Sequence, residues 1–187
     1  MEEPVLFTVR EDFSLGSSSN AWGPVNVNAD WNVLVANGKT LNVYGALNSS
    51  GRTITVGGEG FSGTLVLNNA ANASMTAEWV ITSGSTVRCM NNSALGSGLV
   101  TLDGGTLDFN SQTIGSTITL NMSGTGTLQN VTVDGAILSY TSSSGNDGIT
   151  ASNTTWTSGT IDIGRVLQGC SAEGSNTVDL GAELGEG

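Results

Sequence analysis

The 187-residue chain has no histidine, and 5 lysines and arginines face 16 aspartates and glutamates, giving a net charge of −11. Without imidazole there is no Ser-His-Asp or Cys-His nucleophile, and no His-ligated zinc. The five cations, Arg10, Lys39, Arg52, Arg88 and Arg165, stand singly. They build no basic patch, so nucleic acid is not an expected partner. Charged residues make up only 11% of the chain, against about 25% in an ordinary soluble domain. Cys89 and Cys170 are far apart and form no metal-type spacing; each is expected to be a buried free thiol, with a mutual disulfide as the alternative. No run approaches the roughly 18 apolar residues of a membrane span. Met1 is followed by two acids and a mixed segment, not by a basic region and an apolar core, so no secretory signal is expected.

What fills the chain instead is 23 Ser, 23 Thr, 18 Asn and 27 Gly. Such a composition borders on disorder, but 37% of the residues are hydrophobic and they are regularly placed, which argues for a buried core. One short design recurs: NGKTLNV at 37–43, SGRTITV at 50–56, FSGTLVL at 61–67, GGTLDF at 104–109, GSTITL at 115–120, GTGTLQ at 124–129, SGTIDI at 158–163 and SNTVDL at 175–180. Each is a Gly- or Asn-containing turn, then Thr, an aliphatic residue, a variable residue and usually another apolar one. Period-two alternation of this kind is a strand with one buried face. It predicts that Leu41, Val43, Ile54, Val56, Leu65, Leu67, Leu107, Ile118 and Leu120 point inward.

Near-identical units favour a solenoid over a β-sandwich, whose strands usually differ from one another. The fold class expected is all-β: a right-handed parallel β-helix or solenoid with an N-terminal cap or docking segment. With about 20 residues per coil, the repeats would make roughly seven coils and a rod on the order of 35 Å. Three segments are expected: 1–36 as the cap or docking segment, 37–164 as the repeats, and 165–187 as a final strand with a mobile acidic tail.

Residues 94–107, Ala94-Leu95-Gly96-Ser97-Gly98-Leu99-Val100-Thr101-Leu102-Asp103-Gly104-Gly105-Thr106-Leu107, closely resemble the passenger-associated transport repeat of autotransporter passenger domains. That repeat also occurs in phage and bacterial surface proteins. GTGTLQN at 124–130 resembles the start of another unit. The resemblance implies successive strands of a right-handed parallel β-helix and a surface role. Autotransporter passengers run to several hundred residues and precede an outer-membrane barrel, whose aromatic girdles the C-terminal part lacks.

Residues 1–44 hold Phe7, Phe13, Trp22, Trp31 and Tyr44, five of the ten aromatics. A solenoid end must be covered or it offers open strand edges. These five are therefore either a cap filling the rod end or anchors docking another subunit, for which Trp and Tyr are favoured.

Catalytic chemistry was weighed on the acids Asp103, Asp108, Asp134 and Asp162. Glycoside hydrolysis needs two carboxylates roughly 5–10 Å apart. Asp108 and Asp162 sit at the variable position, are expected to point outward, and are isolated in sequence, so these acids are read as turn and surface groups. GGEGF at 57–61 resembles the start of a calcium-binding nonapeptide but lacks its Asp and does not recur. Asn-x-Ser/Thr sequons occur at Asn48, Asn72, Asn91, Asn121, Asn130 and Asn153, little above chance for this composition. An ice-binding threonine ladder is not regular here, since Thr-x-Thr occurs at 53–55, 117–119, 125–127 and 155–157, at uneven spacing.

These observations converge on a non-enzymatic structural surface protein with no catalytic, cofactor or metal residues. The leading expectation is a decoration or fibre-like component on the virion surface of a tailed phage, serving assembly, stabilisation or attachment. The alternative is a segment of an autotransporter-type adhesin on the bacterial cell surface; a carbohydrate-active β-helix enzyme comes third. The partners implied are other virion or surface proteins, further copies of the chain (a trimer among the options) and a host-surface glycan.

Overall fold

The computed structural model describes residues 3–20, 23–69, 72, 74–115, 119–141, 149–162, 172–173, 177–178 and 182–185. Among these residues there are fifteen strands: β1 (Val5–Val9), β2 (Phe13–Leu15), β3 (Val25–Val27), β4 (Trp31–Val35), β5 (Thr40–Val43), β6 (Leu47–Val56), β7 (Thr64–Leu67), β8 (Thr76–Thr82), β9 (Thr86–Cys89), β10 (Leu99–Gly115), β11 (Thr119–Thr141), β12 (Ile149–Asp162), β13 (Ala172–Glu173), β14 (Thr177–Val178) and β15 (Ala182–Gly185). Every pairing between them is parallel. The result is a parallel β-solenoid of about six turns.

Stacking follows from the sequence pattern. Trp31, Ile54, Trp79, Val100 and Met122 are register partners in one ladder. Phe13, Leu41, Leu65, Val87, Leu107 and Leu128 form another. Like side chains therefore meet like at the ~4.8 Å spacing of neighbouring strands. From Leu41 to Leu128 the second ladder is buried, and with the first it makes one continuous core. Of the nine residues predicted to face inward, eight are buried; Ile118 lies outside the described residues. Outward positions are mostly polar, and Thr101 and Ser123 bond across coils at 3.0 Å.

The repeat at 94–107 has a physical reason for its glycines. Gly96 sits at φ 74°, and a Cβ there would collide with the Met75 carbonyl. At Gly98 a Cβ would strike the Ala77 carbonyl. The chain thus passes so close to the preceding coil that only glycine fits.

Three expectations need adjustment. The boundary at 36/37 is no structural break, because β1 pairs with β4 and β4 with β6; the strands β1 to β4 already belong to the solenoid. The aromatic cluster suggested a separate segment, but Trp31 and Phe7 occupy ladder positions. Coils use 20 to 28 residues along the Phe13–Leu128 ladder, more than the 20 assumed, so there are fewer turns than seven. Finally, β15 pairs with β12, so pairing continues beyond the repeat at 175–180 into the expected tail; much of 165–187 lies outside the described residues.

Candidate functional site

At the N-terminal end the core is laid open. β1 pairs only with β4, and β2 only with β5, so the outer edges of both strands carry no partner strand among the described residues. Val5 and Phe13 stand at inward ladder positions, opposite Trp31 and Leu41, yet both are 47% exposed. Among the described residues no coil lies above them. Leu6, on the outer face, is 63% exposed. Beneath this end lies an apolar cavity of about 50 Å³ bounded by Phe7, Leu15, Trp31 and Trp79 among others.

The five aromatics of the cap-or-anchor expectation separate here. Phe7 and Trp31 are partly buried and pack against the core. Phe13 is the exposed one, and Tyr44 is half-buried in the wall after β5. Its carbonyl accepts a 2.9 Å bond from Asn69. Trp22 lies outside the described residues. Sequence reasoning missed the aliphatic residues Val5 and Leu6; the signal available was that a terminal strand in ladder register has no covering neighbour.

Of the four acids, Asp103 and Asp134 are exposed, and the Asp162 side chain lies outside the described ones. Asp108 corrects its expectation. Leu107 and Phe109 point inward, so Asp108 does point outward, but its side chain is only 2% exposed. Arg88 Nε of the preceding coil donates to its Oδ2 at 2.9 Å. The Asn110 backbone N–H and Asn130 Nδ2 donate to Oδ1 at 2.8 and 3.0 Å. Burial by itself would raise the Asp108 pKa, but the hydrogen bonds from Asn130, Asn110 and Arg88, with the arginine's charge, outweigh it and hold the group below the usual carboxylate range. Neighbours about 20 residues away are invisible to a local reading. With every strong donor around it engaged, this carboxylate is a structural tie between coils.

Burial pushes the Cys89 thiol far up, with the Asp108 charge adding to it, and the residue is a free cysteine; such a thiol is a core residue and not a nucleophile. Cys170 lies outside the described residues. No group of three metal-ligating side chains occurs among the described residues, and none of their helices is long and apolar enough to cross a membrane. No family model matches the chain, and neither a curated protein nor a solved structure matches it.

Proposed function

We propose that the chain is a non-enzymatic structural component of a surface assembly, a decoration or fibre-like protein on a tailed-phage virion, attached through its N-terminal end. The observation that carries this reading is the uncovered core at that end: Val5 and Phe13 continue inward ladders into solvent beside unpaired strand edges. Exposed edges of this kind invite pairing with another chain, and proteins that function alone blunt or cover them. An apolar end rimmed by Glu3, Glu11 and Asp12 has the form of an interface core with a polar rim. The autotransporter-like repeat at 94–107 supports a surface role, and it keeps the adhesin as the second reading.

Mass spectrometry of purified virions and of cell-envelope fractions from the producing culture separates the readings. Recovery in virions supports the proposal; recovery in the envelope alone favours the adhesin; recovery only in the soluble cytosol overturns both. Leu6→Asp and Phe13→Asp should leave the circular dichroism spectrum and melting temperature nearly unchanged while abolishing incorporation. Undiminished incorporation of the folded double variant overturns attachment through this end.

A further inference from the structure

A second surface lies on the flank of the early coils. β6 turns a corner at Gly51, whose φ is 59°, and its register against β8 shifts between Ser50 and Thr53. A groove of about 450 Å³ lies beside this corner, walled by Asn26, Asn28, Asn48, Ser50 and Arg52 over Met75.

One feature of this groove is unexplained by the fold. Arg52 is half-buried and forms no ion pair among the described residues. Lys39 and Arg88, by contrast, pair with Glu11 and Asp108, and Arg10 lies over the Phe61 ring. On a chain of charge −11, an arginine left without a carboxylate is available to receive one from a ligand.

We propose that this groove binds a largely neutral oligosaccharide carrying a single carboxylate, which Arg52 receives. Each Asn amide sets a donor beside an acceptor, matching the neighbouring hydroxyls of a pyranose. Asn26 and Asn48 are register partners on adjacent coils, so these readers repeat at ~4.8 Å along the groove, close to the advance of one sugar in an extended chain. Asn48 Nδ2 donates to Asn26 Oδ1 at 3.3 Å, holding the pair side by side. A polyphosphate or nucleic acid fits poorly, since a lone arginine neutralises one charge and the remainder meets an acidic protein. The groove holds no aromatic platform, so single-site affinity is weak and display in many copies would supply avidity.

The inference is independent of end attachment: either can fail alone. Its test uses aldotetraouronic acid, a xylotriose bearing one glucuronic acid, with xylotriose as the neutral counterpart and acetate as the bare anion, titrated by calorimetry or NMR. The acidic saccharide should bind at least about tenfold more tightly than xylotriose. Arg52→Gln should remove that preference. An Asn26→Ala/Asn48→Ala variant, altered only at exposed positions, should weaken both sugars, and it carries the test if Arg52→Gln fails to fold. No saturable binding of either sugar, acetate binding as tightly as the acidic saccharide, a preference that survives Arg52→Gln, or sugar binding unaffected by the Asn26/Asn48 change would each overturn the proposal.

Discussion

The first coils and the middle coils solve the same problem differently. In β10 and β11, strands of 17 and 23 residues run around the corners with little interruption. The corners are made by asparagines in the left-handed region, Asn110 (φ 49°), Asn130 (φ 54°) and Asn153 (φ 50°). Their side chains link coil to coil: Asn153 Nδ2 donates to Asn130 Oδ1, and Asn130 Nδ2 to Asp108. The first coils use short strands joined by loops, and single side chains reach across to tie them. Asp12 accepts from the Thr40 N–H at 2.8 Å, Asp30 from the Thr53 N–H at 3.0 Å, and Asn37 from the Ser62 N–H at 2.9 Å. Asn72, fully buried, bridges the Leu47 N–H and the Ala94 carbonyl. Regular corners give a smooth rod; loops give the open end and the corner groove. The open end and the corner groove on which both proposals rest therefore lie in the first coils, and the middle coils are the regular part of the rod.

The largest expected effect compares two members of one ladder. Leu107→Ala, in a fully buried middle position, should cost about 2–5 kcal/mol by chemical denaturation. Phe13→Ala, at the open end of the same ladder, removes more atoms, but it should cost well under about 1 kcal/mol because the side chain is already half in water. Equal losses at the two sites would mean that the end is covered in solution. Trp79→Ala should match the upper range, about 3–5 kcal/mol, because it also strands the Leu95 carbonyl that Trp79 Nε1 binds at 3.0 Å.

Next in size is the carboxylate that ties the middle coils. Asp108→Asn keeps the shape but loses charge-assisted bonds, and should cost about 1–3 kcal/mol at neutral pH. The Asp108 pKa is lowered on folding, so the stability it contributes is complete above the unfolded value of about 3.9 and is lost as pH falls through the lower folded value. The gap between parent and variant should thus hold from neutral pH down to about 4 and close below it. A gap that stayed constant into strong acid would show that the carboxylate is not ionised in the folded protein.

How much of this the sequence carried follows from the range of each interaction. Alternation is local, and it placed Leu41, Val43, Ile54, Val56, Leu65, Leu67, Leu107 and Leu120 inside, as found. The recurrence of one design made a solenoid the natural expectation, because stacked coils need like residues at like positions. What a local reading could not see is contact between residues about one coil apart. Asp108 looked solitary because Arg88 and Asn130 are 20 and 22 positions away. The groove was hidden for the same reason, its walls coming from 26–28, 48–52 and 74–75. Phe7 and Trp31 looked like anchors because aromatic clustering does not distinguish ladder positions from the uncovered end.

The smallest expected effect tests the corner device itself. Asn110 is exposed and its φ is 49°, a conformation that costs an ordinary L-residue about 1–2 kcal/mol and that asparagine and glycine adopt more readily. Its backbone N–H, which binds Asp108, survives any substitution except proline, so a change of side chain reports on the backbone alone. Asn110→Ala should therefore lower stability by about 1 kcal/mol, while Asn110→Gly should be nearly neutral, since glycine adopts the conformation without strain but adds freedom to the unfolded chain. In the first coils, Asn37 is also exposed, but it acts through its side chain, bonding the Ser62 backbone and hydroxyl at 2.9 and 2.7 Å. There Ala and Gly should both be destabilising, because each deletes the bond. A glycine tolerated at Asn110 beside losses from both changes at Asn37, read as denaturation midpoints, would establish that the Asn110 corner is built by backbone conformation and the Asn37 one by a side-chain tie; the same response at both sites would remove that distinction.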